Sequence, residues 1–290
     1  MPPVLLLHLV IIAWSLTAIL GKLITLPATD VTVWRTGLAA IGFAIVAKLM
    51  RLPLKVTPKE RWHLLIIGWF MGWHWLLFFL SSRLATASVT LAAMPAILIF
   101  CSLVEPLVNG TRRWKKAEVL IGLIIMGAVS LIYKVELRYW LGFTVALVSA
   151  ALATVFALGN KQLTHRHPFA VLCFWQMCGA CAACWCMLPF VSGHWLPMVP
   201  GGIDLLWLLV LSQVCTVAAY AGYIVVLRHL SIFTVNVVYN LEPVYGIVLA
   251  AVIFGQSEHM STGFYLGAAI IVGSVVALPW LNRSSPSPTA

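Results

Sequence analysis

Ten apolar runs divide this chain, at roughly 4–25, 31–49, 62–82, 87–107, 118–133, 140–159, 168–190, 204–227, 232–254 and 263–281. About 20 apolar residues in a helix cross the hydrocarbon core of a bilayer. Only 9% of the residues are charged and 62% are hydrophobic. Soluble domains carry about 25% charged residues, so this chain has too few to build a wetted surface. Transmembrane strands would show about ten residues of strict apolar and polar alternation, and that pattern is absent. The sequence therefore predicts an all-α integral membrane protein with ten transmembrane helices. The opening "MPPVLLLHLV" has no basic flank, and its apolar run is too long for a cleaved leader, so it reads as the first span.

The formal charge of +10 raises the question of nucleic acid, and the placement of the charges answers it. With ten spans the loops alternate sides. One set carries Lys48, Arg51, Lys55, Lys59, Arg61, Arg112, Arg113, Lys115, Lys116, Lys161, Arg166, Arg228 and Arg283, and the other Arg83, Lys134 and Arg138. That is 13 basic residues against 3, with Lys22 and Arg35 inside spans. Positive residues gather on the cytoplasmic side, so the expectation is a cell (inner) membrane protein with both termini cytoplasmic and no nucleic-acid partner. Cys178, Cys181, Cys184 and Cys186 have spacings that invite a metal, but "QMCGACAACWCM" is one apolar helix that spreads the thiols around its surface. No metal site and no cofactor is expected, and the thiols read as small packing residues.

The chain repeats itself. "TASVTLAAMPAILIFCSLV" (86–104) resembles "TVNVVYNLEPVYGIVLAAVI" (234–253), with Thr86 and Thr234 each nine residues before Pro95 and Pro243. "LIGLIIMGAVSLI" and "YLGAAIIVGSVVAL" match more loosely. The offset of 148 gives halves 1–135 and 136–290 of five spans each. An odd number of spans inserts the second half upside down. Inverted repeats are a construction of secondary transporters, whose substrate sits near the midplane between the halves.

Here the sequence resembles two EamA domains of the drug/metabolite transporter superfamily over nearly its whole length. The matching residues are Trp14 and Lys22 in "WSLTAILGK", Arg35 in "WRTGLAA", Pro95, "NLEPVYGIVLAAVIFGQ" and "GFYLGAAIIVGSVV". The resemblance implies ten helices and export of amino acids or other small metabolites, by proton exchange or facilitated diffusion. It departs at Gln256, where the family usually has an acid, with Glu258 two positions on. It also departs at Met94, where the first repeat lacks the Glu before its proline.

Several residues are candidates for transport. Glu242 lies at the centre of the ninth run. An acidic residue there costs about 2.5–3.5 kcal/mol to insert, so it either carries a proton or a substrate amine, or fixes packing by a hydrogen bond. Pro95 and Pro243 each remove a backbone donor and kink their spans, either around a cavity or for packing alone. Asn236, Tyr239 and Asn240 share a helical face with Pro243, whereas Glu242 points elsewhere. Gln213, Thr216, Tyr220 and Tyr223 form a second polar stripe, lining a cavity or bonding between helices. His74, between Trp73 and Trp75, is a candidate proton relay or a satisfied core histidine. Trp14, Trp69, Trp73 and Trp175 are candidate walls of an aromatic cavity. Lys22 and Arg35 lie toward the outer ends of adjacent spans, where they snorkel, pair with Asp30, gate, or bind a carboxylate.

An intramembrane enzyme is the rival class. No HExxH, GxSxG or paired aspartates occur within the spans, and no Walker A sequence occurs at all, so no enzyme activity is expected. The solute could equally be a drug, nucleoside or sugar derivative. The expected partners are a small-molecule substrate, the lipid bilayer and coupling protons, with the chain a monomer or a homodimer.

Overall fold

The structure is a computed structural model. It describes residues 2–109, 136–163, 166–227, 229–230, 235, 238–239 and 241–283, with 120, 124, 127–128 and 131–132 between the first two stretches. The fifth predicted span and the start of the ninth fall largely outside these residues.

Helices begin where the sequence supplies starting signals. α1 (Pro3–Leu23) and α2 (Ala28–Leu49) each follow a proline, Pro2 and Pro27. α3 (Pro58–Leu84) opens with a capping box, in which Thr57 Oγ1 accepts from the Glu60 amide while Glu60 accepts from the Thr57 amide. The fourth run is two helices, α4 (Ala87–Ala93) and α5 (Ala96–Asn109), separated at Met94–Pro95. α6 (Trp140–Leu163) and α7 (Phe169–Val191) are continuous. The eighth run is continuous but not uniform. α8 (Gly202–Leu209) passes into a π-helical segment (Val210–Ala218) and then α9 (Ala219–Leu227). α10 (Glu242–Phe254) starts at the carboxylate itself and stops at Gly255, whose φ of 55° ends the helix. α11 (Thr262–Arg283) is the last helix.

Among the described residues, six helices are long and apolar enough to cross a membrane, and Ala87–Cys101 and Thr262–Ser274 are shorter apolar helices. No strand occurs among them. The chain is an all-helical, multi-pass membrane protein.

The packing is organised around α3, which lies along α6 and α7, while α2 runs along α7. The α8–α9 rod lies on α1 and α2; α10 packs on α1 and α4; and α4 and α5 pack on α6. Exchanging the first four runs for runs six to nine maps these pairings onto one another, with α2–α7 and α4–α10 mapping onto themselves. The α3–α7 contact is made backbone to backbone. A Cβ on Gly68 would strike the Gln176 carbonyl, one on Gly72 would lie 2.6 Å from the Ala180 carbonyl oxygen, and one on Gly179 would strike the Leu65 carbonyl. Small residues at four-residue spacing permit such an approach, which is how helices associate where lipid removes the hydrophobic driving force. Cys184 Sγ donates to the Gly72 carbonyl across the same seam at 3.3 Å.

Gly72→Ala should destabilise the protein by about 1–3 kcal/mol, because backbone must move to admit the methyl. Gly37 is a control in the same bundle, since a Cβ there meets only Cys181 Sγ, at 3.6 Å. Thermal unfolding in detergent should show a lower midpoint for Gly72→Ala and an unchanged or higher one for Gly37→Ala, which gains helix propensity.

Candidate transport cavity

A cavity of about 140 Å³ lies between α1, α2, α3, the α4–α5 break, α9 and the α10 start. α3 supplies Met71, His74, Trp75 and Phe78, a stripe at i, i+3, i+4 and i+7. α1 adds Trp14 and Thr17, and the helix breaks add Met94 and Ile97 on one side and Tyr239 and Glu242 on the other.

Arg35 is the charge at one wall. It is 2% exposed, and its guanidinium carbon lies 3.7 Å from the centroid of the Trp75 ring. Nε donates to Thr216 Oγ1 at 3.2 Å, and Nη1 is buried without a hydrogen-bond partner. The π-helical segment places Thr216, whose own hydroxyl donates to the Leu211 carbonyl five residues back at 2.9 Å. A guanidinium is always protonated, so this is an incompletely satisfied positive charge inside the bundle.

Glu242 supplies the acidic side chain of the lining. Its backbone carbonyl accepts from Ser15 Oγ at 2.9 Å, but among the described residues no hydrogen bond or ion pair reaches its carboxylate, from Arg35 or any other residue. Beside it the Trp14 ring stands against Tyr220, Tyr223 and Tyr239 at centroid distances of 5.6, 5.4 and 5.7 Å. His74 Nδ1 lies 2.9 Å from the Ser149 carbonyl and 2.8 Å from Ser149 Oγ.

These positions differ from the sequence reading in several ways. Tyr239 and Glu242, three residues apart and so neighbours on a helix surface, line the same cavity, which corrects the expectation that Glu242 points away from the Tyr239 stripe. Arg35 neither snorkels nor pairs with Asp30. Asp30 accepts from the Met198 amide at 2.7 Å and lies near His194. Lys22 pairs with Glu258, not Asp30, and lies outside the cavity. Gln213 leaves its expected stripe and donates to the Leu38 carbonyl at 2.9 Å, because the π-helical segment shifts the register between it and Tyr220. Trp73 packs on Trp69 and Phe70, and Trp175 donates to the Leu54 carbonyl beneath Arg61, so Trp14 alone of the predicted tryptophans is a cavity wall. Trp75 was missed, although the α3 stripe would have included it. Pro95 separates α4 from α5, and Pro243 sits in the first turn of α10. Asn236 and Asn240 lie outside the described residues.

At the end of the bundle where α1 finishes, Glu258 joins three elements. Its Oε1 accepts from Lys22 Nζ at 2.8 Å and from the Ala87 amide at 3.0 Å, and its Oε2 accepts from the Ser88 amide at 3.0 Å. The carboxylate thus caps α4 while holding α1. Burial alone would raise its pKa. The bonds from Lys22 and from the Ser88 and Ala87 amides outweigh that and hold it below the ordinary carboxylate value.

A group with a lowered folded pKa stabilises the protein above its unfolded pKa, about 4.3 for Glu, and loses that contribution as pH falls through the folded value. Glu258→Gln should therefore unfold at a lower temperature than the wild type at pH 7. The gap should shrink as both are acidified below about pH 4. Glu258→Ala, which strands Lys22 and two amides, should cost about 3–5 kcal/mol. Thermal unfolding as a function of pH checks both.

Residues 140–279 match the model described as the EamA-like transporter family. A search of curated proteins finds no match. A solved crystal structure superposes with a TM-score of 0.67 over 98% of this chain and 99% of its own, at 18% identity, a likeness of fold alone.

Proposed function

We propose that this chain, whose second half is an EamA-like transporter domain, is a secondary transporter of small zwitterionic metabolites such as amino acids. In this reading it works by alternating access, in the export direction, from the inner membrane. The family match supports a membrane transporter of the drug/metabolite type. The exchange symmetry of the helix pairings supports two inverted five-helix repeats, ten spans in all, and the basic asymmetry supports cytoplasmic termini.

The observation that carries the substrate reading is the charge arrangement of the cavity. Arg35 Nη1 has no partner, the Glu242 carboxylate has none among the described residues, and the two do not pair with each other although they line one space. Two opposite charges held apart in a low-dielectric bundle cost more than a contact pair. A zwitterion between them would give its carboxylate to Arg35 and its ammonium to Glu242, satisfying both. The Trp14, Tyr220 and Tyr239 faces beside Glu242 suit an ammonium, so a drug-like organic cation is the second reading. Arg35 discriminates the two, since it repels a simple cation and attracts a zwitterion.

Glu242 is also the residue through which a coupling proton would most simply run. Reconstituted vesicles with clamped pH provide the test. Glu242→Gln keeps the shape and should fold, lose transport driven by a pH gradient and retain exchange. Arg35→Gln should lower kcat/KM for zwitterions by about tenfold or more, as expected when a charged hydrogen bond is removed, while sparing or improving uptake of organic cations. Wild-type pH dependence in Glu242→Gln would remove the proton role. Unaltered zwitterion transport in Arg35→Gln would remove the substrate assignment.

A further inference from the structure

The cavity wall formed by α3 is apolar except at one residue. Met71, Trp75 and Phe78 surround His74 there. The hydrogen bonds on the far side of the His74 ring decide which nitrogen carries its proton. Ser149 Oγ lies 2.7 Å from the His74 backbone carbonyl, and a carbonyl can only accept. The single hydroxyl proton of Ser149 is therefore committed to that bond. Ser149 Oγ is then an acceptor toward the ring, and so is the Ser149 carbonyl. Both face Nδ1, so Nδ1 carries the proton. The neutral ring is left with a bare lone pair on Nε2. Among the described residues nothing donates to Nε2, and it is not one of the sealed, unpartnered polar atoms, while His74 lines the cavity.

From this geometry we infer that His74 Nε2 is a specificity-determining acceptor. It selects solutes whose otherwise apolar side group carries one O–H or N–H donor, and Ser149 is its positioning residue. The inference rests on the zwitterion reading above. Arg35 takes the carboxylate, Glu242 takes the ammonium, and His74 reads the side group as a third point of contact. A solute with the donor satisfies the lone pair. Its isostere without the donor desolvates Nε2 and gives nothing back, and a site built that way rejects the isostere. The role differs from a proton relay. A relay needs the ring to gain and lose protons through the cavity, whereas here the tautomer is held by a main-chain carbonyl and a hydroxyl that stay on α6.

The test uses the full chain in vesicles and two isosteric pairs, L-tyrosine with L-phenylalanine and L-threonine with L-valine. In the wild type, kcat/KM for the donor-bearing member of at least one pair should exceed that of its isostere by about tenfold, the scale of one unmet buried hydrogen bond. His74→Leu should bring that ratio to near one, with the donor-bearing member losing several-fold more than its isostere. His74→Gln, which can set an amide oxygen where Nε2 lies, should restore part of the ratio. Ser149→Ala frees the ring and should shrink the ratio several-fold, chiefly through KM. Ser149→Ala and His74→Gln keep the test valid if His74→Leu does not fold. A wild-type ratio of one in both pairs, or a ratio unchanged in Ser149→Ala and His74→Leu, would overturn the inference. Failure of the underlying reading looks different: no member of either pair would be transported at all.

Discussion

A helix that breaks inside a bilayer must have its freed backbone groups satisfied away from lipid, because hydrocarbon offers no hydrogen bonds. This chain breaks helices at Met94–Pro95 and at Leu241, and both breaks adjoin the same cavity. The two broken helices also lean on each other, since a Cβ on Gly246 of α10 would collide with Leu91 of α4. The breaks therefore put irregular backbone and polar side chains together at one interior place, and the unbroken rods α3, α6 and α7 form a rigid frame beside it. Backbone contact at Gly68, Gly72 and Gly179 makes that frame stiff, and a stiff frame is what a site of a few fixed charges requires.

Arg35 shows how the frame tolerates such a charge. Stacking on Trp75 gives the guanidinium a face to lie against, and Thr216 gives it one acceptor. Neither neutralises it. The π-helical turn that presents Thr216 is itself a departure from the i→i+4 ladder, and such turns often accompany functional sites. The arrangement leaves Nη1 buried without a hydrogen-bond partner, in a side chain that lines the same cavity as Glu242. A packing role alone would be met more cheaply by an apolar side chain of similar size.

The sequence was most legible where the physics is local. Apolar length placed α1, α2, α3, α6 and α7 within a few residues, and the prolines marked where the fourth and ninth runs give way. What it could not supply was register and pairing. The stripe containing Gln213 and Tyr220 assumes 3.6 residues per turn, and nothing in "VLSQVCTVA" announces a π-helical segment. The stripe through Asn236, Tyr239 and Pro243 set Glu242 aside, although Tyr239 and Glu242 are i and i+3 neighbours and line one cavity. Lys22 and Glu258 are 236 residues apart, and Asp30, the nearer acid, was already taken by the Met198 amide and His194. Tryptophan content suggested an aromatic wall, but only the stripe through Met71, His74 and Phe78 separates Trp75 from Trp73. Spacing alone favoured Trp73, which pairs with Trp69 on the same face.

The two ends of the bundle are not held alike. Where α1 finishes, Lys22 to Glu258 and Thr25 to Asp204 tie the halves together, with Glu258 also capping α4, and Arg83 holds the Gly21 and Ile24 carbonyls within the first half. At the opposite end α1 meets α10 through His8 and Tyr245, at 2.7 Å. Under the transport reading, the end with the ion pair is the closed one, and moving a solute past it means separating α1 from the α10–α11 link. Glu258 would then lose Lys22 while keeping the two α4 amides, because those lie on the element it caps. A carboxylate that retains two backbone donors after its cation leaves is not stranded. The cost of opening is thus the separation of Lys22 from a carboxylate that keeps two backbone donors, a cost that a bound solute can offset.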